Sequence, residues 1–134
     1  MKKHVLLLLL MGIVVFFAGN NVVPLTDPDE VFYAQTAREM VQHKTWVTPY
    51  IFGHPQFEKP VLTYDFVRAG FLFFGETPFA ARFFPALFGL IGVIAVYFMA
   101  KASGQDSRRA FLAGFVLMTG GLYVALSRSV FTDM

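Results

Sequence analysis

The stretch PLTDPDEVFYAQ (residues 24–35) sets Asp27, Asp29 and Glu30 within four positions, directly after a run of leucines, valines and phenylalanines. A second charged step, Glu58–Lys59, stands between Phe57 and Pro60. Carboxylates and a lysine held beside apolar surface suit chemistry on an anionic group at a membrane surface. A carboxylate can take a proton, and an ammonium meets a phosphate as a compact point charge. Each motif also has a purely structural reading. Three acids in the first turn of a helix satisfy orphan amides and the macrodipole, and Glu58–Lys59 serves equally as a surface charge pair at a helix start. Asp27 reads as the cap, Pro28 as the first helical residue and Glu30 as the closing member of a capping box. From there a helix runs to about Gln42. Glu30, Ala34, Ala37 and Val41 share one face of it, and Gln35, Arg38, Glu39 and Gln42 the other. Glu30 therefore faces protein or lipid headgroups instead of water, which capping alone does not explain.

Other chemically capable residues carry less. His54 in GHPQ reads as an exposed loop residue, and His4 and His43 as solvated. The glycines of GLIG and MTGG mark close helix packing, since no strand or Lys-Ser/Thr accompanies them as a phosphate loop requires. Arg82 and Arg128 fall at the ends of apolar runs, as interfacial anchors or phosphate ligands. There is no cysteine, which excludes a disulfide framework and a thiolate metal site.

These residues need a scaffold, and the composition indicates which kind. Of 134 residues, 56% are hydrophobic and only 15% charged, against about a quarter charged in soluble domains. A net charge of +2 gives no argument for nucleic acid. Three stretches are candidate spans, at about 4–23, 83–100 and 110–126. Each interior is free of charge, as expected when one ionised side chain at mid-bilayer costs about 2.5–3.5 kcal/mol. The first also has the charge pattern of a cleaved signal peptide, but FFAGNN offers no convincing cleavage pair, so a retained helix is expected. Lys2–Lys3 and the turn KASGQDSRR (101–109) place both short basic segments in the cytoplasm, and the acidic loop 24–77 and the tail from Ser127 outside. Within that loop, VLTYDFVRAGFLFFG (61–75) reads as a second amphipathic helix lying in the interface, with Asp65 and Arg68 as an i, i+3 pair. Trp46, Tyr50 and Tyr64 suit the same depth.

DPDEVFYAQTAREMVQHKTWVTP, GHPQFEKPVLTY, FGETPFAARFFPAL and the terminal SRSVFTDM follow one another between these spans. In order and spacing they resemble the N-terminal part of the GT-C membrane glycosyltransferases. The branch in question includes the 4-amino-4-deoxy-L-arabinose lipid A transferases and the dolichyl-phosphate-mannose protein mannosyltransferases. The resemblance covers nearly the whole chain. It implies an all-α integral membrane fold of GT-C type, with amphipathic juxtamembrane helices in the first outer loop. It also implies a sugar donor carried on a polyprenyl phosphate, with transfer on the periplasmic face of a bacterial inner membrane to a lipid, glycan or protein acceptor. On this resemblance Asp29 is the candidate catalytic base with Glu30 beside it. Lys59 meets the donor phosphate, and Tyr33 and Arg82 contact substrate. Glu58 and Asp133 are ligands of a divalent metal ion. A cation near the leaving lipid phosphate would be worth several kcal/mol (about 2.7–4 for one donor), and a hydroxyl acceptor needs a base where a phosphate acceptor does not. Phe32 stands where the aminoarabinose branch usually carries Arg, Val61 where a second Pro is common, and Asp65 where an aromatic follows Tyr64. The resemblance therefore speaks to the donor class and leaves the sugar and acceptor open.

Residues 1–134 are accordingly expected to form the N-terminal part of one transmembrane glycosyltransferase domain. The rival expectation is a non-enzymatic three-span membrane protein with a periplasmic docking loop. A transporter would place ionisable groups inside its spans, and these have none.

Overall fold

Helix dominates the chain because apolar runs destined for lipid must bond their backbone N–H and C=O groups to one another. The computed structural model describes residues 2–130, so Asp133 lies outside the described residues. Along the chain come α1 (Lys2–Phe17), α2 (Pro28–Gln42), β1 (Tyr50–Ile51), β2 (His54–Pro55), α3 (Val61–Phe74), α4 (Pro78–Ala102), α5 (Ser107–Thr119) and α6 (Gly121–Ser127). They divide into two compact units: Met1–Ala18 with Pro85–Arg128, and Gly19–Phe84 with the segment from Ser129.

In the first unit the expected spans are corrected at two places. α1 stops at Phe17 instead of Val23, and its 16 residues rise only about 24 Å. Gly19, with φ 79°, takes the left-handed conformation that ends the helical path. Arg128 closes the helix end, donating from its two terminal nitrogens to the carbonyls of Val15 at 2.7 Å and Ala18 at 2.6 Å. The expected span 110–126 is broken at Gly120, where α5 and α6 bend by 67°. Gly120 caps both helices in an extended conformation, so MTGG marks a break and not a packing face. GLIG behaves as expected: the Tyr123 hydroxyl donates to the Gly89 carbonyl at 2.7 Å, and a methyl at Gly89 would overlap Ser127. Among the described residues α4 alone is long and apolar enough to cross a membrane by itself, and the bent α5–α6 pair qualifies when taken together. Leu8, Phe16, Leu90, Val93, Tyr97 and Met118 form the core, closed by the small residues Ala86 and Ala110. His4 is not fully solvated; its ring leans on Phe111 and its Nδ1 is buried.

In the second unit α2 begins where the sequence places it. Asp27 caps by accepting from the Asp29 N–H at 3.0 Å, and Pro28 follows as the first helical residue. The other half of the expected capping box is absent, because Glu30 turns inward. Tyr33, Ala37 and Met40 of α2 pack with Tyr64, Val67 and Phe71 of α3, over Ala80 and Ala81 at the start of α4. Tyr64 is therefore core, not an interfacial ring. Gly75, with φ 76°, stops α3. α3 and the first turn of α4 approach so closely at Gly70 that a methyl there would strike the Ala80 carbonyl.

The short hairpin β1–β2 pairs Tyr50 with Pro55 and Ile51 with His54. Phe52 and Gly53 carry it round with φ 52° and 78°, the double positive that a type I′ turn requires. Both turn amides point at one carboxylate: Glu39 accepts from Phe52 N–H at 2.9 Å and Gly53 N–H at 3.0 Å, and from the Gln35 amide at 2.8 Å. Glu39 is thus buried, not on the solvent side of α2. Burial alone would raise its carboxyl, but the bonds from Gly53, Gln35 and Phe52 outweigh that and hold it below the usual carboxylate range. Asp65 and Arg68, the expected i, i+3 pair, act on each other electrostatically without a direct ion-pair contact among the described residues. Arg68 instead donates to the Thr45 carbonyl at 2.6 Å and lies 3.7 Å over the Trp46 ring, fastening the loop after α2.

Candidate functional site

The first turn of α2 holds two acids with different fates. Successive helical residues point about 100° apart, so neighbours can face solvent and core respectively. Asp29 is exposed, whereas Glu30 is only 3% exposed. Glu30 meets Arg82, itself 6% exposed, in a two-pronged ion pair: Nε to Oε1 at 2.9 Å and Nη2 to Oε2 at 2.5 Å. The remaining Arg82 hydrogens go to the carbonyls of Asn20 at 3.2 Å, Val23 at 2.7 Å and Pro24 at 3.3 Å. A guanidinium has five N–H donors, and here all are spent inside the protein. Arg82, expected to contact substrate, therefore has no donor left for a phosphate. Glu30, expected beside the base, is committed to a buried ion pair instead of standing open to an acceptor.

Tyr33 is also displaced from its expected role. It is 1% exposed, with its ring 5.4 Å from that of Tyr64 and 6.1 Å from that of Phe32, so in this conformation it presents no face to a ligand.

Glu58 and Lys59 lie immediately before α3, as the sequence suggests. Glu58 is exposed and Lys59 half-buried. The loop carrying them is tied to the core through Gln56, whose amide nitrogen donates to the Tyr64 hydroxyl at 2.7 Å and whose carbonyl oxygen accepts the Glu58 N–H at 3.2 Å. Burial pushes the Tyr64 hydroxyl above its usual range, so it stays a neutral phenol that can accept this bond. The exposed carboxylates are thus Asp29 and Glu58, with the half-buried Lys59 next to the second. Among the described residues no three His, Cys, Asp or Glu side chains gather as a metal site would need. Glu58 offers one exposed carboxylate and Asp133 lies outside the described residues, so the described residues do not by themselves fit a divalent cation.

Sequence reasoning missed Glu39 and the inward role of Arg128. No local signal could have found Glu39, since its partners are amides of a turn 13 and 14 residues away.

The family model for dolichyl-phosphate-mannose-protein mannosyltransferases matches residues 2–134. Curated relatives include an undecaprenyl phosphate-alpha-4-amino-4-deoxy-L-arabinose arabinosyl transferase of Aeromonas salmonicida, 38% identical over 96 residues. Its namesake in Serratia proteamaculans is 36% identical over 110 residues. These alignments cover 72% and 78% of this chain but only 18% and 20% of the relatives, so the chain spans about a fifth of their length. Among solved structures, the crystal structure of ArnT from Cupriavidus metallidurans bound to undecaprenyl phosphate superposes with a TM-score of 0.82 at 30% identity. That match covers 94% of this chain and 23% of the other.

Proposed function

The chain belongs to the dolichyl-phosphate-mannose-protein mannosyltransferase family, and from that membership we propose that it is the N-terminal part of a glycosyltransferase taking its sugar from a polyprenyl phosphate. Undecaprenyl phosphate is the carrier we favour, and the periplasmic face of a bacterial inner membrane the place. The observation that carries this reading is the likeness over 94% of the chain to a protein crystallised with undecaprenyl phosphate. The acceptor is a hydroxyl or phosphate of a lipid, glycan or protein.

In this mechanism Asp29 is the base. Its carboxylate, exposed at the positive end of α2, takes the proton of an acceptor hydroxyl as that oxygen attacks the anomeric carbon. The bond to the lipid phosphate breaks and its electrons leave with the phosphate oxygen. Lys59 meets the growing negative charge on that phosphate, and the anchored Gln56 loop limits how far the ammonium can drift.

The complete protein carrying this N-terminal part, reconstituted in lipid and supplied with an undecaprenyl-phosphate-linked sugar, should release undecaprenyl phosphate in step with acceptor glycosylation, whereas residues 1–134 alone should transfer none. Binding of the donor with no release under any acceptor would favour the non-enzymatic reading.

A further inference from the structure

Glu30 has a further partner. Its Oε1 accepts the backbone N–H of Val130 at 3.1 Å, across 100 residues of chain, and Val130 is 1% exposed. One oxygen therefore takes Arg82 Nε and Val130 N–H, while the other takes Arg82 Nη2. Arg82 meanwhile holds the carbonyls of Asn20, Val23 and Pro24. A single carboxylate–guanidinium pair thus joins the segment entering α2, the first turn of α2, the start of α4 and the segment that leads on to Asp133.

We propose that Glu30 and Arg82 are a positioning pair, fixing the backbone at Val130 with respect to Asp29. Neither touches substrate. The chemistry suits a pin better than a base. A carboxylate is acceptor-only and meets three donors here, so a buried charge is neutralised and each of its bonds has a fixed direction. An apolar pair of the same volume would fill the space but join nothing, which fits the use of buried ion pairs to specify one arrangement. The role given to Asp29 rests on the glycosyl-transfer reading; the pin itself does not.

Two variants separate the pin from mere packing. Glu30→Gln turns an amide N–H₂ toward donors of Arg82 or Val130. Val130→Pro removes the N–H that Glu30 accepts, together with a buried valine side chain, and leaves both members of the ion pair in place. The chain has no cysteine, so spin labels can be placed at Gln42→Cys on α2 and Ser129→Cys without background. In the protein reconstituted in nanodiscs, electron–electron resonance should give one narrow distance in the parent, lost to a broad distribution in both variants. A peak that stays narrow in either variant overturns the proposal. In a transfer assay both variants should lose about 10²-fold in turnover with little change in the KM for donor. A raised KM with turnover intact would make Glu30 a donor contact and also overturn the proposal. If even the complete parent protein transfers no sugar, the enzymatic reading fails while the distance measurement still decides the pin.

Discussion

The two units hold themselves together by different means. The unit of α1, α5, α6 and most of α4 is closed mainly by apolar side chains meeting at small residues, with Gly89 making room for Ser127 and Gly92 for Tyr123. The unit of α2, the hairpin and α3 has an apolar core too, but its loops are fastened by buried charge: Glu30 with Arg82, Glu39 with the hairpin amides, and Arg68 with the Thr45 carbonyl. Apolar contacts are non-directional and suit helices that need only stay together. Charged hydrogen bonds have direction, and suit irregular backbone that must present Asp29 and the Glu58–Lys59 loop in one arrangement.

The largest effect expected separates the exposed acid from its pinned neighbours. Asp29→Asn should lower sugar transfer by about 10²–10⁴-fold with an unchanged melting temperature. Asp27→Asn keeps the cap and should leave both near normal. An equal loss in the two would reduce the acid cluster to a helix start. Next comes Arg82→Ala, which strands a buried carboxylate and should cost about 3–5 kcal/mol in denaturant unfolding. A loss near that of a surface site would erase the contrast between the units.

Glu39→Gln should cost less, about 1–3 kcal/mol, by loosening the hairpin. The same bonds predict a pH dependence. The folded Glu39 carboxyl is held below its unfolded value, so its contribution is full above about pH 4.3 and fades as pH falls through the folded value. Fluorescence of Trp46, the only tryptophan, should report this on acidification, and Glu39→Gln should flatten the response. In the apolar unit Tyr123→Phe should cost about 1 kcal/mol, the worth of one hydrogen bond, with no pH dependence between pH 3 and 7, roughly the carboxylate range. Smallest of all, Arg38→Ala breaks the exposed 2.6 Å pair with Glu76 and should stay within about 0.5 kcal/mol.

What was readable in the sequence was local. The Asp27–Pro28 start of α2, its end at Gln42 and the stop of α3 before Gly75 each depend on a few adjacent residues. The inward face of Glu30 followed from helical period, but its partner did not, because Arg82 lies 52 residues away and nothing in spacing links them. The adjacent glycines of MTGG read as a packing position, and only the tertiary fold shows the break at Gly120. The site divided in the same way. Asp29 and Glu58 are exposed and Lys59 is half-buried, while Tyr33 and Arg82 were claimed by a core and a pin that no local pattern announces.

The hold of Arg128 on the end of α1 has a consequence for biogenesis. The carbonyls it serves belong to Val15 and Ala18, made more than a hundred residues earlier. Until Arg128 has been made, the last carbonyls of α1 lack the guanidinium that answers them. Long closures are tolerable, since each doubling of loop length adds only about 0.6 kcal/mol. The end of the first helix is therefore completed only after α6 has followed it.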